Sequence, residues 1–253
     1  MYHSLYKAPK GACTITPSAF EEDVRYLADN GYHTVGVSDL IAFAYDKKPL
    51  PDKPIMITFD DGYYNTYTQA FPLMKQYHMK LVLSIVGEST EQFSRVEDKN
   101  ERYGAMNWTE INEMLASDCA ELANHTRNLH MLTAGRKGCK RRKGESADHY
   151  EKMFTEDVGA LQEECRQNCG VTPVCFTYPF GSTCPDALAL LKSMGFKMTL
   201  TCDDGMNFLK PGDPEELFEM KREERTPSAS AKKILQKITR AAEQKEKLSS
   251  ING

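Results

Sequence analysis

The 253-residue chain carries 32 basic and 36 acidic side chains, a formal net charge of -4, and is 40% hydrophobic, as expected of an ordinary folded protein with enough residues for one sizeable core. That balance argues against nucleic acid as a partner, and no apolar segment approaches the roughly 20 residues needed to cross a bilayer. Eight cysteines, at 13, 119, 139, 165, 169, 175, 184 and 202, follow no tight metal-binding spacing, which speaks against a zinc finger and lends little support to a disulfide framework.

Met1-Tyr2-His3-Ser4-Leu5 reads as the end of a strand already under way, the start that a removed signal peptide or membrane anchor would leave. Thr16-Pro17-Ser18 predicts a helix capped by Thr16, with Phe20, Val24, Leu27 and Ala28 on one face and Asn30-Gly31 as its stop. A strand over 32–37 follows, then a short helix from Ser38 through Phe43. Ile55-Met56-Ile57-Thr58-Phe59 is a buried strand that ends abruptly in Asp60-Asp61-Gly62. A helix over 66–78 and a strand over 80–86 come next, and Asn107-Trp108-Thr109-Glu110 is a capping box that opens a helix to Ala116.

The strand over 119–123 delivers His125. A helix from about 150 to 169 leads to the strand Val174-Cys175-Phe176-Thr177 and the turn Tyr178-Pro179-Phe180-Gly181, and the helix Pro185 to Met194 precedes a strand over 196–200. Cys119, Cys175 and Cys202 lie beside these apolar runs and read as small buried hydrophobes. The repeated strand, loop and helix predict an α/β fold with parallel strands, a barrel or a doubly wound sheet, with its polar residues gathered on the loops after several strands. Two segments fall outside this rhythm. Arg136 to Gly144 is a basic loop, and a lysine-rich helix runs from Ser228, fraying after Leu248. Both read as solvated faces, with contact to an anionic polymer as the alternative.

Asp61, His125 and His130 make a candidate site for zinc or a similar divalent ion, with positions left open for water and a substrate oxygen. Read separately, Asp60-Asp61-Gly62 is also a capped turn, and the histidines are also ordinary surface residues. Five residues turn a helix by about 500 degrees, so His125 and His130 must meet through a loop, where the Thr126 and Asn128 side chains can bond to the backbone. Asp60, left beside the ion, is the candidate general base. Tyr178-Pro179-Phe180-Gly181 can aim the Phe180 backbone N–H at a developing oxyanion, or can be a plain surface turn.

Together these residues resemble the polysaccharide deacetylases of the NodB-homology, carbohydrate esterase family 4 class. Thr58-Phe59-Asp60-Asp61-Gly62 is similar to the family's first motif, with Asp60 as base and Asp61 as ligand, and His125-Thr126-Arg127-Asn128-Leu129-His130 to its second. The histidine separation of five is similar to the poly-N-acetylglucosamine deacetylase branch, as are Met1-Tyr2-His3, Thr16-Pro17 with Phe20, 30–35 with Asp39-Leu40, and Trp108-Thr109-Glu110 leading to 121–125. The resemblance covers residues 1–205. It implies a distorted (β/α)7 barrel, with residues 1–227 as the catalytic domain and 228–253 as a basic helix or tail.

The implied reaction is metal-dependent N-deacetylation of N-acetylglucosamine units in a cell-envelope or exported polysaccharide by an extracellular or envelope-associated protein. Zinc is the expected metal, and cobalt, nickel or iron would be tolerated. The alternatives are a deacetylase of a small N- or O-acetylated glycan precursor and a weakly active carbohydrate-binding barrel. Two departures bear on mechanism. Thr177 stands where the third motif commonly has a base-orienting arginine, so that Asp203 or Asp204 is expected to take part of that role. No histidine follows His149 to serve as the usual general acid, and His3 is the expected substitute.

Overall fold

The computed structural model describes residues 1–251 apart from 10, 97 and 134, with side chains to residue 241. In chain order its elements are β1 (Ser4–Leu5), β2 (Thr14–Ile15), α1 (Pro17–Asp29), β3 (His33–Thr34), α2 (Val37–Asp46), β4 (Pro54–Ile55) and β5 (Thr58–Asp61). A π-turn (Thr66–Ala70) precedes α3 (Phe71–Gln76), β6 (Leu81–Ile85), α4 (Gly87–Arg95), α5 (Trp108–Ala116) and β7 (Ala120–Asn124). The hairpin β8 (Leu132–Thr133) and β9 (Arg136–Lys137) is followed by α6 (Ala147–Cys169), β10 (Cys175–Thr177), α7 (Pro185–Ser193), β11 (Met198–Leu200) and α8 (Ala231–Ile251).

The strands form the α/β barrel expected from the sequence. β5, β6, β7, β10 and β11 lie side by side, all parallel. The sheet then curls back on itself through two segments of irregular backbone. Thr201 N donates to Met220 O and Arg222 N to Asp203 O, each at 2.9 Å; Arg225 N donates to Met1 O at 2.9 Å. Tyr2 N and Asp60 N then link residue 2 to β5, at 2.8 and 2.9 Å. The result is a curled, nearly closed ring of seven segments, the distorted NodB-type barrel. Within the sheet, β7 and β10 pair only through Asn124 and Phe176.

Alternation along the strands separates two layers of core. Leu81, Leu83 and Ile85 of β6 pack outward with Leu122 against α1, α3 and α5, whereas Val82 faces Ala123, Cys175, Met198 and Leu200 inside the ring. β6 is buried along its whole length, as a central parallel strand covered on both faces must be. Thr16 caps α1 by accepting the Ala19 N–H at 3.1 Å, and Asn107 and Glu110 cap α5 reciprocally. Both are the caps that the sequence predicts.

Several expectations need correction. The strand over 32–37 shrinks to β3 because Asp39 accepts the Gly36 N–H at 2.8 Å and draws Val37 into the first turn of α2. The helix over 66–78 opens with a wide turn before Pro72, whose missing N–H cannot close an ordinary α-turn. Helix α4 was not anticipated. All eight cysteines are free thiols, and of the three expected to be buried only Cys175 is; Cys119 and Cys202 are half-buried.

The basic loop is not simply a solvated face. Arg136 is buried and paired with Glu145 at 2.5 Å, and Arg141 reaches Asp186 at 2.9 Å and the Glu145 carbonyl. The start of α8 is also fixed, since Ala231 N donates to Asp23 Oδ1 at 2.9 Å and Leu235 packs on the core.

Candidate active site

The C-terminal ends of β5, β7 and β10 converge on one mouth of the barrel. On a regular strand Asp60 and Asp61 would point to opposite faces. Asp61 escapes that alternation because its backbone is left-handed, with φ 70°, a conformation that Asp accepts more readily than most residues. Gly62 continues in the same region at φ 70°. Thr126, just past His125, also has φ 70°, and Phe180, just past β10, has φ 57°. Left-handed backbone at three neighbouring strand ends re-aims side chains at a cost of order 1–3 kcal/mol each.

These turns bring Asp61, His125 and His130 together. His125 Nε2 lies 3.5 Å and His130 Nε2 3.2 Å from Asp61 Oδ1. A tetrahedral ion bound at the usual nitrogen and oxygen distances separates its ligands by about 3.3 Å, so the spacing fits a shared ion. Asp61 Oδ1 is buried and accepts no hydrogen bond among the described residues, which is what a ligand oxygen looks like when its partner is not protein. Burial raises the Asp61 pKa, but the His125 contact overrides it and holds the carboxyl below its usual range.

The His125 ring is oriented from behind. Its Nδ1 lies 2.7 Å from the Thr177 carbonyl, a contact that keeps the proton on Nδ1 and turns Nε2 toward Asp61. It also bridges the seam where the β7–β10 ladder has ended. The loop from 125 to 130 is braced partly as expected: Thr126 Oγ1 accepts the Leu129 N–H at 3.2 Å, while the Arg127 and Asn128 N–H groups go to Asp157 on α6, at 2.8 and 2.9 Å. The ring of Phe180 packs on His130, centroid to centroid at 4.4 Å. Gly181 is required beneath it, because a side chain there would start 2.7 Å from Cys202 Cβ.

Asp60 points into the barrel, 2% exposed, and is clamped by Arg222. Both guanidinium nitrogens donate to it, Nη1 to Oδ1 at 2.7 Å and Nη2 to Oδ2 at 2.8 Å, and Arg222 is itself aligned by Nε donating to the Thr201 carbonyl at 2.7 Å. Burial alone would raise the Asp60 pKa; the Arg222 charge and its two hydrogen bonds hold it well below the ordinary carboxylate range. Sequence reasoning missed this arginine. Asp203 and Asp204 are exposed and do not take the orienting role, and Thr177 instead bonds to Ser84 at 2.8 Å. Arg222 lies in Lys221-Arg222-Glu223-Glu224-Arg225, a charged run that reads as a solvated surface; only the hydrogen bonds on both its sides reveal it as a barrel segment.

His3 enters the same mouth from the first segment of the ring. It lies within electrostatic reach of both Asp60 and Asp61, and its Nδ1 is buried with no hydrogen-bond partner among the described residues.

A family model described as polysaccharide deacetylase matches residues 47–199, which carry both aspartates and both histidines. The chain belongs to the polysaccharide deacetylase family. Within that family it is similar to a poly-β-1,6-N-acetyl-D-glucosamine N-deacetylase of Escherichia coli strain K12, 28% identical over 211 residues that cover 76% of this chain and 31% of that protein. An enzyme of the same name from Staphylococcus aureus is 24% identical over 76% of this chain and 62% of its own length. The chain thus spans less than two thirds of either relative. Among solved structures, IcaB from Ammonifex degensii aligns over 92% of both chains at 26% identity and a TM-score of 0.73. A de-N-acetylase from Aggregatibacter actinomycetemcomitans shares the fold, with a TM-score of 0.79 over 93% of this chain and 97% of that one at 23% identity.

Proposed function

We propose that this polysaccharide deacetylase removes acetyl groups from N-acetylglucosamine units of a cell-envelope or exported polysaccharide, as the names of the Escherichia coli and Staphylococcus aureus relatives suggest. The observation that carries the reading is the Asp61–His125–His130 triangle beside a buried, ionised Asp60. The three residues would hold one divalent ion, zinc by donor chemistry, with cobalt, nickel and iron as tolerated substitutes. When bound, that ion supplies Lewis acidity toward the acetamide oxygen and toward water.

The chain's own residues do the rest. Asp60 accepts the proton of the attacking water, and Arg222 keeps it ionised and correctly turned. The clamp weakens Asp60 as a base, so it suits only a water that has itself been made acidic. Phe180 offers its backbone N–H to the oxyanion, and its ring, stacked on His130, walls the pocket. His3, which enters the same mouth from the first segment of the ring, returns a proton to the departing amine. An envelope substrate places the protein outside the membrane, and no described helix is long and apolar enough to cross one.

Acetate release from β-1,6-linked and β-1,4-linked N-acetylglucosamine oligomers and from peptidoglycan fragments tests the reading. Rate that rises with oligomer length is expected of a polymer enzyme. No metal-dependent acetate from any of them would overturn the proposal. His3→Gln is expected to lower turnover about 10²-fold with one equivalent of metal still held at the Asp61 triangle; a drop of less than about threefold would assign the proton to solvent instead.

A further inference from the structure

A second group of metal-ligating side chains stands on the same rim, outside the triangle just described. One ligand atom each from His3, Cys13 and Glu224 lies within 4.8 Å of the others. Cys13 Sγ and Glu224 Oε1 are 2.9 Å apart. The three come from distant stretches of chain and are brought together by backbone pairing. Parallel pairing of β1 with β2 matches Ser4 to Thr14, which sets His3 beside Cys13, and Ser4 N donates to Cys13 O at 3.3 Å. On the other side, Met1 N donates to Glu223 O and Arg225 N to Met1 O, both at 2.9 Å, which holds Glu224 against the same segment. Strand ladders thus fix all three positions.

The donor set has its own chemistry. A thiol, an imidazole and a carboxylate match the ligand classes of zinc, with three protein donors and room for water. The Cys13 sulfur sets this group apart from the Asp61 triangle, because sulfur favours zinc-like ions over magnesium, calcium or manganese. A tetrahedral ion with these ligands spaces them by about 3.3–3.8 Å, so binding would open the Cys13–Glu224 edge, now 2.9 Å, by about 0.6 Å. Cys13 is exposed and Glu224 half-buried, so an ion can reach them from solvent. The Nδ1 of His3, buried and without a hydrogen bond among the described residues, is a second sign that this histidine is not committed to the protein.

We propose that His3, Cys13 and Glu224 bind a second divalent ion of the zinc type, and that its occupation withdraws His3 from the active site. The second half rests on the proton-return role given to His3 above. Abundant zinc would then slow the enzyme that a first equivalent activates, through a site that shares His3 with the reacting centre.

Cobalt titration of the full chain under reducing conditions tests the site without substrate. Two equivalents are expected, with a thiolate-to-cobalt charge-transfer band in the near ultraviolet. Cys13→Ser should abolish the band and leave one equivalent, whereas His125→Ala should keep the band. A wild-type stoichiometry of one with no such band, or a band that survives Cys13→Ser, would overturn the site. In acetate-release assays the second equivalent of zinc is expected to slow the wild type at least tenfold and Cys13→Ser less than twofold. Full occupancy of the second site with turnover unchanged would overturn the withdrawal of His3. Stoichiometry and band are read without turnover, so failure of this site and failure of the deacetylase reading give different results.

Discussion

The two sides of the barrel mouth handle buried charge in opposite ways. On the β5–β7 side, Asp61, His125 and His130 converge on a shared point, and Asp61 Oδ1 has no hydrogen bond among the described residues to answer its burial. On the side where residues 1–5 meet 220–225, the carboxylates of Asp60 and Asp23 are each answered at both oxygens. Arg222 grips both oxygens of Asp60; Arg225 Nε and the Ala231 N–H divide the two oxygens of Asp23, at 2.5 and 2.9 Å. A polar group left unsatisfied in a folded interior is costly unless a ligand completes it, whereas a satisfied ion pair is finished within the protein. The triangle is therefore built to take in an ion, and the Arg222 and Arg225 pairs to hold the base and close the ring.

Substitutions that separate these two roles would break or sharpen the contrast. The largest effect is expected from His125→Ala or His130→Ala, which should lose the catalytic ion and bring acetate release to background. Elemental analysis after removal of excess metal checks this, and retention of one equivalent at the triangle in both variants would break the ligand assignment. Asp60→Asn should keep the ion and lower turnover by about 10²–10⁴-fold, read as metal content and rate on the same sample.

Arg222→Ala acts on the closing side. It leaves a buried carboxylate unpaired and should cost about 3–5 kcal/mol of stability, measured by urea unfolding. It also has a signature that a purely structural pair would lack. With Arg222 in place the Asp60 pKa is lowered, so the base is already ionised across the working range. Without it burial outweighs the remaining pull of His125 and His3, the pKa rises, and the acid limb of kcat/KM should move to higher pH. Asp23→Asn, which disturbs the neighbouring pair, should destabilise the fold with no such movement.

The smallest effect is expected at Glu145. Burial would raise its pKa, but the Arg142 N–H, Arg136 and His149 together hold it down to about 2. A depressed carboxyl stabilises the fold above its unfolded pKa and loses that contribution as pH falls through the folded value. The wild type should therefore lose about 1 kcal/mol, limited by solvent screening, between pH 4.5 and 2, and Glu145→Gln should not show this loss. Urea midpoints of the two proteins at pH 6 and pH 3 make the comparison.

Much of the barrel could be read because its strands and caps are local. Thr16 and Asn107 announce α1 and α5 through groups a few residues away, and the apolar run before Asp60 is a strand whatever surrounds it. The triangle was legible for the same reason: its ligands end two apolar strands and carry donor types that few other roles would combine. Arg222 was not legible, because nothing within 221–225 distinguishes a guanidinium buried against Asp60 from one in water. The loop over 136–144 misled for the same reason, since Arg136 is basic in composition and buried in fact.

By itself the sequence determined the alternation of strands and helices, the positions of their caps, and the placement of Asp60, Asp61 and His125 at strand ends, because backbone propensity and side-chain periodicity act over a few residues. The tertiary structure alone decided how the ring closes through 1–5 and 220–225, which cation clamps the base, and that His3, Cys13 and Glu224 meet. Those outcomes depend on hydrogen-bond pairing between segments some 200 residues apart, and no local pattern records which distant segment will supply the partner.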